Sequence, residues 1–294
     1  MTIVPRRTVS WQDKQDLART AAHAAMGVRF DLGMDLEEPI SAYTACERVG
    51  VLVRFVDIDM EGIYQRSTVS RIFLSVRRPL VRRHFNCAHE LGHHVFGHGA
   101  SLDQLREDDG AYNARHPDEF LVDCFAAHLL MPVLGIRRAF SHRQTKAEDA
   151  EPKDVLAVAS EFGVGYETLL THLAFSLSDI TISRRDELMR ARQAFRRELL
   201  GEAASSGVAL LDEQSVAPTL DVEVNYLIVA PRGTVASGDI VRPVGTSLFG
   251  DLFRASYRGA VDLSVPGTRW AVTIRVAPER FVGLAKYRYL EDDE

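Results

Sequence analysis

His89-Glu90-Leu91-Gly92-His93, inside the run Phe85 to His98, holds the residues best suited to chemistry. On a helix, His89 and His93 stand four residues apart and share a face, with Cβ atoms about 5–6 Å apart. Two neutral imidazoles at that spacing can bind one zinc-sized cation at roughly 2.0–2.1 Å per nitrogen. Glu90 flanks the shared face, where it can act as general base toward a water that the metal activates. Phe85, Cys87, Ala88, Leu91 and Val95 give the segment the apolar stripe of a helix packed on a core. The competing reading is a helix whose histidines are merely solvated.

Catalytic sites of this kind usually hold three protein ligands. His98 lies nine residues after His89. An unbroken helix would turn it to the opposite face, and the Gly-x-x-His register of metzincins is absent. A carboxylate downstream is the better candidate. Asp118 to Met131 has helical apolar spacing, and Pro132 stops the helix. Glu119 and Asp123 share one of its faces. Glu119 is thus a candidate third ligand, and Asp123 a candidate acceptor for the free N–H of a ligating histidine. Acids near a helix start can also serve only the helix dipole.

These segments resemble the ImmA/IrrE metallopeptidases. The family carries a stretch like FTLAHELGHxxLGH and, some thirty residues on, one like ExxANxFAAxLLMP. Here the stretches are Phe85 to His98 and Glu119 to Pro132, and the likeness runs over roughly residues 35–175. The resemblance implies that His89, His93 and Glu119 ligate the metal (Zn2+, or another divalent ion such as Mn2+) and that Glu90 is the catalytic base. It also implies a metal-dependent endopeptidase acting on a protein substrate. That substrate would be a regulatory protein, such as a helix-turn-helix repressor, cleaved to derepress genes. Asp123 stands where the family usually has Asn, and Val122 where it has Ala. The alternative is a regulator that binds a partner or DNA and keeps the metal for structure.

The elements around these motifs give an α+β chain. Helices are expected over residues 10–26 and 39–49, and strands over 51–56, 63–64 and 71–76. By analogy of fold, an exposed edge of that small sheet could add an extended substrate as a strand. Ala100 to Pro117, with Tyr112 and His116, reads as a surface loop. The expected division is a metallopeptidase domain over 1–150, a helical segment with a helix-turn-helix pattern over 151–200, and a β-rich domain over 201–294 that could serve as a sensor or partner module. The second helix of the pattern, Tyr166 to Phe175, has no Arg or Lys, so it reads as a packing element. Ser183 to Leu200 is an Arg-rich amphipathic helix, read as a solvated connector. In the β-rich part, Val222, Val224, Tyr226 and Ile228 alternate as in one half-buried strand. Pro266-Gly267 suits a hairpin turn, Val282 to Leu290 suggests a last strand, and no residue type useful for the chemistry stands at a useful spacing.

Composition bounds the rest. The chain has 294 residues, 46 % hydrophobic and 26 % charged, as in ordinary globular proteins. A net charge of −6 argues against binding nucleic acid through overall charge, and no direct nucleic-acid contact is expected. Three widely spaced cysteines do not form a disulfide framework and suit a reducing compartment. No run of about 18 apolar residues occurs, so neither a membrane span nor a secretory leader is expected, and the expected location is cytoplasmic.

Overall fold

The computed structural model describes residues 11–99, 116–201 and 207–290. The expectations for Ser10, Tyr112, most of the loop before Pro117 and the acidic tail lie outside them. The elements run α1 (Trp11–Asp31), α2 (Ala42–Arg48), β1 (Leu52–Val56), β2 (Gly62–Gln65), β3 (Arg71–Ser75), α3 (Leu80–Val95), α4 (Pro117–Leu130), α5 (Val133–His142), α6 (Pro152–Glu161), α7 (Tyr166–Thr171) and α8 (Ile182–Leu200). Strands β4 (Val208–Leu210), β5 (Thr219–Glu223), β6 (Leu227–Ala230), β7 (Val235–Ala236), β8 (Val241–Ser247), β9 (Gly250–Ala255), β10 (Gly259–Ser264), β11 (Ala271–Ala277) and β12 (Gly283–Leu284) follow. The chain is α+β: a helical part around one small sheet, then a β-rich part.

Helix α3 sits at the centre. One side packs on the sheet and α2; the other packs on α4, which α1 covers. Cys87, Ala88 and Leu91 of α3 meet Leu121, Phe125 and Leu129 of α4 in one core. Each fully buried Leu or Phe there contributes roughly 1.5–3 kcal/mol relative to exposure. Gly92 lets the two helices approach. A Cβ on it would stand 2.9 Å from Val122 Cβ and 3.1 Å from Phe125 Cδ1. Buried Arg29 of α1 ties down the end of α4, its Nε donating to the Leu129 carbonyl at 2.8 Å.

The small sheet has the order β12-β1-β3-β2. β1 and β3 are parallel, β2 runs antiparallel to β3, and β12 antiparallel to β1. The far edge of the sheet is therefore closed by the C-terminal segment, while β2 is left as an edge strand beside α3. The expected strand over 282–290 is short: after Leu284 the chain turns into a 3₁₀ turn over Ala285–Tyr287.

The β-rich part holds two sheets, β5-β11-β10-β7 and β4-β6-β9-β8. The hairpin around Pro266-Gly267 forms, with β10 and β11 antiparallel. The single strand expected through Val222 to Ile228 is two strands in different sheets. Asn225, at φ +70°, turns the chain between them, and asparagine tolerates that left-handed conformation better than most residues. Val208, Leu210, Leu227 and Val229 face the helices and join the main core. Ala209, Leu211, Ile228 and Ala230 face the other sheet. Both faces of β4 and β6 are covered, so they read as continuous apolar runs without alternation.

Two helices run longer or shorter than their patterns suggest: α1 continues to Asp31, and α2 begins only at Ala42, where Ser41 Oγ accepts from Thr44 N. Helix α7 continues as a π turn over His172–Ser176.

Candidate metal centre

The central turns of α3 present His89 and His93 toward Glu119, in the first turn of α4. His89 Nε2 lies 3.3 Å from Glu119 Oε2, and His93 Nε2 lies 3.6 Å from Glu119 Oε1. The two Nε2 atoms are 3.3 Å apart. One donor atom from each of the three residues falls within 4.8 Å of the others. No other group of this kind occurs among the described residues. Two imidazoles and one carboxylate suit zinc or a similar divalent ion and leave room for water.

The opposite ring nitrogens are held as well. His89 Nδ1 lies 2.8 Å from Asp123 Oδ1. With Nε2 turned to the site as a lone pair, Nδ1–H is the donor to that carboxylate. His93 Nδ1 lies 2.9 Å from His98 Nδ1. By the same reasoning His93 donates and His98 accepts. His98 thus stands behind a candidate ligand, a role its sequence position hides. The cause is local. Helix α3 ends at Val95, and Gly97 takes φ +69°. Gly97 N donates to His94 O and His98 N to His93 O, the hydrogen bonds of a Schellman end. That reversal folds His98 back along α3, against the opposite face expected for an unbroken helix. The readable signal was Gly97, a left-handed stop two residues past Val95.

Glu90 lies on the flank of α3 under β2. It is 1 % exposed. A Cβ at Gly62 would lie 2.9 Å from its Oε1, so only glycine lets β2 pass so close. The Tyr64 backbone N–H donates to the carboxylate. Oε2 is buried and meets no hydrogen-bond partner among the described residues. Burial raises Glu90 to about 7, with the charge of His89 opposing and that of Glu119 adding to the shift. A buried carboxylate oxygen without a partner beside two nitrogens and one carboxylate fits a site made for a cation and a water.

Charge at the site distributes accordingly. Burial disfavours the charged form of His89, but the Asp123 and Glu119 carboxylates outweigh it and hold the ring well above its ordinary value. Burial, then the neighbouring His89 charge, lowers His93 to about 4. The pocket therefore favours a single positive charge between its carboxylates. Of the other sequence candidates, His116 is the residue before α4 and points its ring toward Asp118 at 3.8 Å, outside the cluster. Cys87 and Cys124 are buried and belong to the core.

Residues 46–173 match the family model described as the IrrE N-terminal-like domain, Peptidase M78. No curated protein matches the chain. Among solved structures, a Mycobacterium tuberculosis transcriptional regulator is similar at 19 % identity with a TM-score of 0.34, over 54 % of this chain and 46 % of that one. The chain thus spans under half the length of that protein, and at such a score the likeness carries no argument. No single helix among the described residues is long and apolar enough to cross a membrane. The family match contains both histidine- and carboxylate-bearing segments whole, so residues 46–173 of the chain are similar to the IrrE N-terminal-like domain of Peptidase M78.

Proposed function

We propose that the protein is a metal-dependent endopeptidase that cleaves a specific regulatory protein, with His89, His93 and Glu119 as ligands and Glu90 as the catalytic base. The observation that carries the reading is the unpartnered, buried Glu90 Oε2 beside the converging His89, His93 and Glu119 donors. A purely structural site has no use for that fourth group.

Zinc, or another divalent ion such as manganese, would supply Lewis acidity that makes water a usable nucleophile near neutral pH. The remaining work falls to side chains. Glu90 takes a proton at Oε2 and returns it to the leaving amine. Asp123 and His98 hold the His89 and His93 rings in the tautomer that turns Nε2 to the site. The edge strand β2 can pair with an extended peptide and lay its carbonyl above α3. A folded globular substrate offers no such strand, so the expected cleavage point is an exposed, extended segment. A helix-turn-helix repressor with a flexible linker is a substrate of that kind, and its cleavage would derepress genes.

The test is incubation of the protein with cytosol of its source, with and without chelator, and identification of new peptide termini. A short list of chelator-sensitive cuts in one or few proteins is expected. Cuts that persist under chelation, or none with metal-replete protein, would remove the reading.

A further inference from the structure

Arg82, Asn86 and Glu90 follow one another at four-residue steps along α3 and form one stripe beneath β2. Each reaches that strand or the residue before it. Arg82 Nε donates to Glu61 Oε2 at 3.1 Å. Asn86 Nδ2 donates to the same Oε2 at 2.7 Å and to the Glu61 carbonyl at 3.3 Å. Glu90 receives the Tyr64 backbone N–H, and its Oε1 lies against Gly62. The proposed chemistry uses only the last of the three.

Asn86 is the specific member of the other two. It is 7 % exposed. Both of its Glu61 partners are oxygens that only accept, so its amide nitrogen, and not its oxygen, must face them. With both donors spent on one residue, it fixes the backbone and the side chain of Glu61 together. A hydrogen bond onto a carboxylate is also stronger than one between neutral groups. The arginines add less. Arg78, 3.0 Å from Glu61 Oε1, and Arg82 both pair with a side chain that is 38 % exposed, and water screens such pairs. Glu61 is the residue next to Gly62, and no side chain stands between Gly62 and the Glu90 carboxylate. Whatever holds Glu61 therefore sets how near β2 lies to Glu90.

We infer that Asn86 and Glu61 are positioning residues, which together seat β2 on α3 and so hold the Glu90 carboxylate in place. Neither belongs to the group of metal donors. If β2 lifts, the Tyr64 N–H leaves the carboxylate, and Oε2 loses its fixed direction. The strand edge that would take the substrate moves as well. A displacement of about 1 Å at a reacting group can cost about a hundredfold in rate. The effect on rate rests on the peptidase reading; the effect on Tyr64 does not.

The experiment has two arms, both on the full chain loaded with zinc. Amide hydrogen exchange read by NMR follows the Tyr64 N–H directly. Asn86→Leu, close in size but without donors, should speed exchange at Tyr64 by at least about tenfold, and amides of α3 from His89 to His93 should stay protected. Glu61→Ala, a change on the exposed side of the clamp, should do the same and guards against misfolding of the buried variant. Arg77→Gln, which loses only an exposed pair with Asp57, should leave Tyr64 as in wild type. In the second arm, cleavage of a peptide spanning the cut found in cytosol should show kcat lowered by at least about tenfold in both clamp variants. KM should change less, and metal stoichiometry should stay at one. Glu61→Gln, which keeps an acceptor for Asn86, should recover part of kcat relative to Glu61→Ala. Tyr64 exchange unchanged in both clamp variants would overturn the inference. So would exchange that rises with kcat intact, or a loss of rate that only follows a loss of metal. Wild-type protein that cleaves nothing would remove the peptidase reading instead, and the exchange arm would still decide whether the clamp seats β2 on Glu90.

Discussion

At the residue scale, the proposed centre separates into groups that would hold a cation and one, Glu90, that would move a proton. Glu119 bridges both histidine nitrogens, so Glu119→Ala should abolish stoichiometric metal binding. Glu90→Gln keeps shape but loses the base. It should bind metal like wild type while cleavage falls at least about a hundredfold, or about 2.7 kcal/mol of barrier. Metal content by mass spectrometry, set beside single-turnover cleavage, distinguishes the two. A Glu90→Gln protein that keeps its metal and cleaves at full rate would remove Glu90 from the mechanism. His98→Ala should weaken metal affinity by about 10–100-fold through loss of the acceptor behind His93, and His98→Gln should restore part of it. An unchanged affinity would reduce His98 to a bystander. The shared face of His89 and His93 was legible because helical spacing sets it, whereas Glu119, on another helix, came from the family motif, since periodicity alone did not separate it from an acid that serves the helix dipole. His98 was not legible, because face arithmetic assumes a helix that persists, and Gly97 ends this one.

At the scale of elements, the meeting of α3 and α4 decides the site, since one contributes two donors and the other the third. Gly92 is the point of nearest approach. In an isolated helix Gly→Ala gains up to about 1 kcal/mol. Here the added Cβ would stand 2.9 Å from Val122 Cβ, and neither backbone can yield without separating the helices. Overpacking typically costs about 1–3 kcal/mol, so Gly92→Ala should lower the melting temperature and weaken metal binding together. Stabilisation with intact affinity would mean that the helices are free to shift. A second element-scale expectation concerns acid. His172, in the π turn after α7, donates Nε2–H to the Met131 carbonyl at 3.0 Å, so it ties α7 to the end of α4. Burial first, then the adjacent His128, lowers it to about 3. Above its unfolded value of about 6.5 both states are neutral, and the group adds no pH dependence. As pH falls from about 6.5 toward 3, only the unfolded chain takes the proton, so stability drops by on the order of 1.4 kcal/mol per unit at most. Melting curves of wild type should steepen over that window relative to His172→Leu; parallel curves would assign the acid sensitivity elsewhere. The apolar periodicity of α3, α4 and α8 was visible in the sequence. The strands β4 and β6 were obscured because cover on both faces removes alternation, and β5 ran into β6 because nothing but Asn225 marks the turn.

At the scale of the whole molecule, the β-rich part bears on the helical part in ways that its lack of catalytic residue types conceals. From sequence, a fragment ending near residue 200 should fold and bind metal alone. Three contacts speak against that. Strand β12 closes one edge of the small sheet, pairing Arg54 with Leu284 and Phe55 with Gly283. Val208, Leu210, Leu227 and Val229 belong to the same core as α3. Arg83 of α3, 3 % exposed, is paired with Glu223 of β5. Removing residues 201–294 would uncover that apolar face, open the sheet beside β1 and strand a buried guanidinium. Breaking a buried pair from one side costs about 3–5 kcal/mol, a large fraction of the roughly 5–15 kcal/mol that holds a typical domain. The fragment 1–200 should therefore be unfolded or aggregated and bind metal poorly. The full-length Glu223→Gln protein should be folded but melt at lower temperature. Circular dichroism, size-exclusion chromatography and metal titration of the two proteins check this. A soluble, cooperative fragment with wild-type metal affinity would show that the β-rich part only rests on the helical one. If instead Glu223→Gln alone loosens the metal, the strain runs along α3 from Arg83 to His89, under two turns away.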